Sequence, residues 1–443
     1  MNARDLPEAM EPADRERRAL RLEGKHVAIS GHVEPGFEAV ADTFAENFVS
    51  RNELGAACSM YVDGAEVVDL WGGVRNRRTR EPWQRDTMVI VWSATKGMSG
   101  LAIALAVSRG LLDYDERVCR YWPEFAQQGK DRITVRQLLS YQAGLFALDA
   151  PVDKRVIADL DRLAIILAQQ KPEWAPGERQ AYSMLSLGFY EGELLRRVDP
   201  LHRTLGQFFQ DEIAAPLGLD FYIRLPEEIP NSRLAQIEDV NPLQALLHLN
   251  RIPLRLLLTA INPRSPLRRS DRNPHSNVPL DPVHVYARNL EVPAGGGVGT
   301  ARALARAYGV FATGGRELGL RQSTLQALMA PAVPPARGFF DESLKYEWQL
   351  SLGFVKPSGG GMQFGSPSAF GMPGWGGALA YADPEVGAGY AYVTNRMGTA
   401  GADPREMALR TAFHRALERQ PKAPAFAGTV QPRQGGPHKE VLA

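Results

Sequence analysis

The sequence predicts an α/β protein in which a mostly helical insert separates two stretches that build one sheet. Apolar runs with strand character flank Asp63-Gly64, and further runs of this kind return at Gln349–Val355, Gly376–Ala382 and Gly387–Asn395. Between these ends, Asp113–Pro293 has the patterns of helices and loops. Because a single hairpin cannot bury both of its faces, the first and last thirds of the chain are expected to form one sheet together.

The N-terminal elements have the clearest local signals. Asp63-Gly64 lies between the apolar runs Ala56–Val62 and Glu66–Trp71, and Asp-Gly in this position is a strong signal for a β-hairpin. Met88–Trp92 is a third short apolar run. An Ala-rich stretch with apolar residues at helical spacing follows it, and Gly110 is expected to end that helix.

The same patterns divide the chain into regions. These are a charged N-terminal lead-in (1–30), an α/β domain built from both ends of the chain (31–115 and 291–419), a mostly helical subdomain (116–290) and a disordered C-terminal tail (420–443). Residues 262–290 are rich in Pro, Arg, Asn and Ser, which predicts a long irregular loop. The tail carries Pro and Gly with few large apolar side chains to bury.

Charge and hydropathy narrow the classes of partner. The 443 residues include 51 Lys and Arg against 50 Asp and Glu, so neither nucleic acid nor an anionic membrane surface is an expected partner. No apolar run reaches the length of about 18 residues that a membrane span needs. The start of the chain lacks the apolar region of a secretory signal, so a soluble, cytoplasmic protein is expected. Its oligomeric state stays open.

The sequence offers little material for a metal site. Cys58 and Cys119 are far apart and belong to no Cys/His cluster, so no metal and no metal cofactor is expected. The apolar stretch Leu246–Ile261 is interrupted by polar residues and Pro253, which indicates a buried or cleft-lining helix pair rather than a membrane segment.

The strongest chemical signal is Ser93-Ala94-Thr95-Lys96. On a helix, positions i and i+3 share a face, so the Ser93 hydroxyl and the Lys96 amine can meet. A serine needs a base to become a nucleophile, and a buried lysine can supply one because burial lowers its pKa. Such a tetrad also arises by chance on the order of once in a chain of this size. The competing interpretation is that Ser93 caps a helix and Lys96 is solvated.

Three stretches together resemble the serine β-lactamase and penicillin-binding-protein superfamily, and within it the class C-like enzymes and family VIII carboxylesterases. They are Val89–Leu112, Ile133–Leu145 and Trp174–Ser183, and the resemblance extends from about Gly36 to Arg419. It implies an α/β (α+β) fold with a mixed, mainly antiparallel sheet flanked by helices, and an active site in a groove against a mostly helical subdomain. It also implies a serine hydrolase that works without a cofactor.

The resemblance assigns the second functional position to Tyr182, whose hydroxyl would pass protons beside Ser93. An adjacent charged Lys96 would be the reason that a tyrosine, with an ordinary pKa near 10, could serve near neutral pH. Met184 stands where many relatives carry Asn, which favours an esterase over an enzyme that turns over β-lactams. Without the resemblance, Tyr182 would be interpreted as a core aromatic residue.

The third motif of the family is Lys-Thr-Gly or His-x-Gly, and here two registers are open. Spacing favours Met372-Pro373-Gly374, with Met372 in the place of the cation and the Trp375 N–H joining that of Ser93 in the oxyanion hole. In the other register Trp375-Gly376-Gly377 is the motif and Ala378 is the donor. The predicted substrate-binding residues are Trp92, Met184, Met372, Gly374 and Trp375.

The predicted function is that of a carboxylesterase. Ser93 would form an acyl-enzyme with small, neutral or hydrophobic esters or amides, and Lys96 and Tyr182 would act as its general base. The alternative within enzymes is a β-lactamase or D-amino-acid peptidase, against which Met184 and Met372 both argue. The non-enzymatic alternative is a catalytically weak ligand-binding or scaffold protein of the penicillin-binding type.

Overall fold

The computed structural model describes residues 27–239, 254–359, 362–398 and 403–420. The α-helices in these ranges are Glu38–Ser50 (α1), Ala94–Ser108 (α2), Val118–Tyr121 (α3), Val135–Leu139 (α4), Lys154–Ala158 (α5), Leu160–Gln169 (α6), Ser186–Val198 (α7), Leu205–Phe209 (α8), Ala215–Leu217 (α9), Leu254–Ile261 (α10), Pro266–Arg272 (α11), Ala301–Ala312 (α12), Gln322–Met329 (α13) and Pro404–Arg419 (α14).

The strands come mainly from the two ends of the chain. They are Ile29–Val33 (β1), Gly55–Val62 (β2), Ala65–Gly73 (β3), Val89–Ile90 (β4), Phe221–Tyr222 (β5), Leu280–Asp281 (β6), Val285–Tyr286 (β7), Val298–Gly299 (β8), Leu350–Ser351 (β9), Phe354–Val355 (β10), Phe370–Pro373 (β11), Leu379–Asp383 (β12) and Ala388–Thr394 (β13).

The central sheet joins the first and last parts of the chain. Its eight strands have the order β1-β3-β2-β13-β12-β11-β10-β9, and all neighbours are antiparallel. The two parts meet where β2 pairs with β13, from Ala56 opposite Thr394 to Val62 opposite Ala388. The fold class predicted from the sequence, a mainly antiparallel sheet flanked by helices, is confirmed.

The hairpin β2–β3 shows how local chemistry sets this sheet. Asp63 and Gly64 form its turn with φ values of 49° and 84°, and two successive positive φ values belong to the type I′ turn that favours Asp-Gly. The turn twists the two strands in the sense that a sheet requires. A bulge between Met60 and Tyr61 then shifts the register of the pair.

Helices cover both faces of the sheet. Tyr390 packs on Phe413 of α14, with ring centroids 5.9 Å apart. Its neighbour Gly389 points the other way, because successive residues of a strand alternate between faces. There α12 approaches so closely that a Cβ at Gly389 would lie 2.3 Å from the Ala305 carbonyl oxygen. The helix α2 lies on this second face, against β11.

Residues 262–290 are more ordered than the sequence predicts. They include α11, which Ser265 caps through a hydrogen bond from the Arg268 N–H, and the two-stranded pair β6–β7. Pro266, which suggested an irregular loop, occupies the first turn of α11, where a missing N–H costs nothing. Pro266 therefore marks the start of a helix rather than a loop.

The apolar stretch at 246–261 also differs from its prediction. Residues 240–253 lie outside the described ranges, as do most of the predicted lead-in and tail. In the part that is described, Leu258 and Ile261 of α10 are 53% and 69% exposed, so this end of the stretch is a surface helix. Within the described ranges, no helix has both the length and the apolar character needed to cross a membrane.

Candidate active site

Ser93 lies at the junction between a short strand and a long buried helix. After β4, the Val91 N–H donates to the Gly297 carbonyl oxygen at 2.9 Å. Trp92 then takes a positive φ of 48°, a conformation that costs a side-chain-bearing residue about 1 kcal/mol or more. The Thr95 hydroxyl and N–H both donate to the Trp92 carbonyl oxygen, which holds this turn. Ser93 therefore follows this turn and directly precedes the first residue of α2, and its side chain is half-buried.

Lys96 is fully buried and fully hydrogen bonded. Its Nζ lies 3.1 Å from Ser93 Oγ, 2.7 Å from the Met184 carbonyl oxygen and 2.8 Å from the Ala294 carbonyl oxygen. Burial lowers the pKa of Lys96 to about 7, although the negative charge of Glu191 acts in the opposite direction. The interpretation of Lys96 as a solvated surface cation is therefore wrong.

Tyr182 completes a three-residue cluster with Ser93 and Lys96. Its hydroxyl is 2.6 Å from Ser93 Oγ, and Lys96 Nζ lies 4.8 Å from the centre of its ring. The ring is packed between Tyr141, at a centroid distance of 5.4 Å, and Trp348, at 5.1 Å. This packing restricts the ring, so the hydroxyl is held at the serine.

The pKa of Tyr182 shifts in the direction opposite to the one predicted from the sequence. Burial raises the pKa of Tyr182 above its usual value, and the hydrogen bond with Ser93 offsets only part of that rise. The phenol therefore keeps its proton near neutral pH, whereas Lys96, with a pKa near 7, is partly neutral there. Of the two groups, Lys96 is better suited to take a proton and Tyr182 to give one.

Asp341 holds the backbone of Tyr182 in place, and no pattern in the sequence predicts this contact. Its buried carboxylate accepts the Tyr182 N–H at 2.8 Å and the N–H groups of Ser343 and Leu344 at 2.9 and 2.8 Å. Burial raises the pKa of Asp341 to about 7, and the three N–H donors oppose this rise. Since 159 residues separate Asp341 from Tyr182, no local motif could have revealed their contact.

The segment predicted to carry the third motif lies next to the Ser93 turn. Gly374 directly follows β11, and a Cβ there would be 2.2 Å from the Val91 carbonyl oxygen, so only glycine permits this approach. Met372, on the strand itself, is fully buried and lies against Gly97, the residue after Lys96. Trp375 begins the turn to β12 and is 67% exposed.

The predicted substrate-binding residues thus have different environments. Trp92, Met184 and Gly374 are half-buried and Trp375 is exposed, so these four have surface that a ligand can reach. Met372 has none in this conformation. The N–H of Met184 donates to the hydroxyl of Ser270 on α11, which ties the segment 262–290 to the wall of the site.

One group among the described residues has the composition of a metal site. His32, Glu66 and Asp69 have ligand atoms within 4.8 Å of one another. Arg302 pairs with Asp69 at 2.5 Å and with Glu66 at 3.6 Å, so a fixed cation already pairs with both carboxylates of this group. None of the three residues contributes to the Ser93 cluster.

Comparisons with known proteins point to one family. The family model described as Beta-lactamase matches residues 37–413. The esterase/beta-lactamase LipL of Mycobacterium tuberculosis is 32% identical over 378 residues, which cover 83% of this chain and 83% of LipL.

Solved structures give the same result. A family VIII carboxylesterase superposes with a TM-score of 0.76 at 32% identity, covering 88% of this chain and 99% of that one. A penicillin-binding-protein homologue from Caulobacter crescentus superposes with a TM-score of 0.73 at 33% identity, covering 88% and 99%. The chain belongs to the β-lactamase family of serine hydrolases. The resemblance stated from the sequence is confirmed.

Proposed function

We propose that this protein is a carboxylesterase that hydrolyses small, neutral or apolar esters through an acyl-enzyme on Ser93. The observation that carries the proposal is the contact of Ser93 Oγ with two proton-transfer groups, Lys96 Nζ at 3.1 Å and Tyr182 Oη at 2.6 Å. A nucleophile within hydrogen-bond reach of a base, with that base oriented by further groups, is the arrangement that covalent catalysis requires.

Acylation begins when neutral Lys96 takes the Ser93 proton, directly or through Tyr182. Ser93 Oγ then attacks the ester carbonyl carbon, and the carbonyl oxygen becomes an oxyanion. The N–H groups of Ser93 and Trp375 are the proposed donors to this oxyanion, at the start of α2 where the helix dipole adds positive potential. As the C–O bond of the ester breaks, Tyr182 protonates the leaving alcohol and recovers a proton from Lys96.

Deacylation reverses these roles. Water loses a proton to the Lys96 and Tyr182 pair while its oxygen attacks the acyl carbon. The bond to Ser93 Oγ then breaks, Ser93 regains its proton, and the carboxylic acid leaves. The scheme balances with ester and water as the only reactants, so no metal or cofactor enters it.

The preference for neutral substrates rests on the side chains at the motif positions. In the register that spacing favours, Met372 takes the place of the family's cation, and its buried thioether provides no charge. Trp92, which directly precedes Ser93, and Met184, whose carbonyl oxygen contacts Lys96 Nζ, are half-buried apolar residues. These residues favour esters over β-lactams and peptide C-termini, both of which present a carboxylate. The family VIII carboxylesterase supports the esterase assignment, and so does LipL, whose name gives esterase beside beta-lactamase.

The test combines active-site labelling with ester turnover. Intact-mass measurement after a fluorophosphonate should show one adduct, which peptide mapping places on Ser93, and short-chain nitrophenyl esters should be hydrolysed. Ser93→Ala should abolish both, whereas Ser50→Ala, at the exposed C-terminal end of α1, should leave both unchanged. Activity that survives Ser93→Ala would refute the nucleophile. Nitrocefin turnover faster than ester turnover would favour the β-lactamase alternative.

We further propose that the enzyme works in the cytoplasm and does not bind nucleic acid. Cys58 and Cys119 are both free thiols, which fits a reducing compartment. The formal net charge of +1 gives no excess of cations for phosphate contacts. Cell fractionation with an antibody against the native protein tests the location.

A further inference from the structure

Glu191, on α7, is a buried carboxylate that the proposed chemistry does not use. Its side chain is fully buried, and neither carboxylate oxygen has a hydrogen-bond partner among the described residues. Buried carboxylates are normally paired, because removing an ion from water without compensation is costly. Glu193, two residues further along α7, follows this rule with ion pairs to Arg196 and Arg197. Glu191 is therefore a local exception on its own helix.

The position of Glu191 relates it to the helix that carries Lys96. One oxygen of Glu191 would lie 3.3 Å from a Cβ at Gly353, and that same Cβ would lie 3.5 Å from Gly100 Cα. Gly100 is four residues after Lys96, so it shares the Lys96 face of α2. Two glycines thus make room for the carboxylate beside α2, at a position one helical turn along that helix from Lys96.

Among the described residues, phenols are the other titratable groups whose pKa the charge of Glu191 affects. Tyr114 follows α2 and Tyr141 follows α4, and both hydroxyls are buried without a hydrogen-bond partner in the described part of the chain. The charge of Glu191 raises the pKa of each, after the larger effect of burial, so both phenols stay neutral in the working range of the enzyme. Lys96 is thus the cation whose charge Glu191 can influence.

We propose that Glu191 is a positioning residue that sets the charge of the Lys96 amine by electrostatic attraction, without touching the substrate. This inference rests on the proposed function, in which neutral Lys96 is the base. An ionised Glu191 holds a proton on Lys96, whereas a protonated Glu191 leaves the amine free to accept the proton of Ser93.

The directions of the pKa shifts agree with this arrangement. Burial raises the pKa of Glu191 above its usual value, and the charge of Lys96 opposes that rise. Burial lowers the pKa of Lys96 to about 7, and Glu191 opposes that fall. Two groups that interact in this way titrate as a pair, so the apparent pKa on the acidic side of the rate profile is a property of both groups.

Kinetics against pH tests the inference. Glu191→Gln removes the negative charge while keeping the shape of the side chain. The acidic limb of kcat/KM for a nitrophenyl ester should move to lower pH by about half a unit or more, because a nearby opposite charge no longer favours protonated Lys96. Glu191→Asp should restore the wild-type limb. The matched control Glu193→Gln removes a paired carboxylate from the same helix and should leave the limb in place.

A second readout does not depend on turnover. Lysine-selective ¹⁵N NMR, with the Lys96 resonance assigned through Lys96→Arg, follows the amine directly in the wild-type chain. Its titration should show a second inflection caused by Glu191, and that inflection should be absent in Glu191→Gln. If the wild type does not hydrolyse esters, the proposed function fails while this titration still decides the inference. A single inflection in the wild type, or an acidic limb unmoved in a folded Glu191→Gln, would overturn it.

Discussion

The sharpest consequence of the buried Lys96 is a steep loss of activity in acid. An amine with the ordinary pKa near 10.4 is neutral in only about 0.04% of molecules at pH 7. With the pKa of Lys96 lowered to about 7, half of the molecules carry the neutral base at that pH. The lowered pKa therefore increases the population of active enzyme about a thousandfold at neutral pH.

The same numbers fix the pH dependence. The neutral fraction of a group with a pKa of about 7 falls from about 0.9 at pH 8 to about 0.01 at pH 5. We expect kcat/KM for nitrophenyl butyrate to fall about 90-fold over this range, with a slope approaching tenfold per pH unit. Because the lowered pKa belongs to a cation, activity is present at high pH and lost as pH falls through 7.

The assay is a series of initial rates between pH 5 and 9, corrected for spontaneous hydrolysis and repeated after return to pH 8 to exclude denaturation. Lys96→Arg provides the comparison, because a guanidinium stays charged throughout and should leave only a low, flat rate. A wild-type profile that changes less than threefold from pH 8 to pH 5 would refute Lys96 as the base.

Three other changes probe the parts around this base. Tyr182→Phe removes the 2.6 Å contact with Ser93 and should lower kcat about 10²- to 10⁴-fold without changing the melting temperature. A loss in kcat of less than tenfold would contradict the role of Tyr182 as the acid. Gly374→Ala places a Cβ 2.2 Å from the Val91 carbonyl oxygen, which should push the turn that carries Trp375 away from Ser93 and lower kcat/KM about 100-fold. Unchanged kinetics would show that Trp375 is not an oxyanion donor. Asp341→Asn turns an amide NH₂ group, which cannot accept a hydrogen bond, towards the Tyr182 N–H. Both kcat and the melting temperature, measured by calorimetry, should fall, and wild-type values for both would exclude a positioning role for Asp341.

The sequence was sufficient for the features that depend on neighbours along the chain. Asp63-Gly64 predicted the hairpin because only a few residue types accept two positive φ values in a two-residue turn. The spacing of Ser93 and Lys96 predicted their contact because a helix brings positions i and i+3 to one face. The order of the motifs along the chain predicted the family and, through it, the fold class.

Only the tertiary structure decided the charges in the site. The acceptors of Lys96 are backbone carbonyls of Met184 and Ala294, 88 and 198 residues away, and a carbonyl belongs to every residue type. Asp341 and Glu191 are ordinary acidic residues in the sequence, and their effects come from packing against distant segments. The direction of the Tyr182 pKa was mistaken for the same reason: burial, which depends on the whole fold, raises it, and the hydrogen bond with Ser93 offsets only part of that rise. Residue types and spacing thus determine which groups can meet, while the surrounding core determines their protonation.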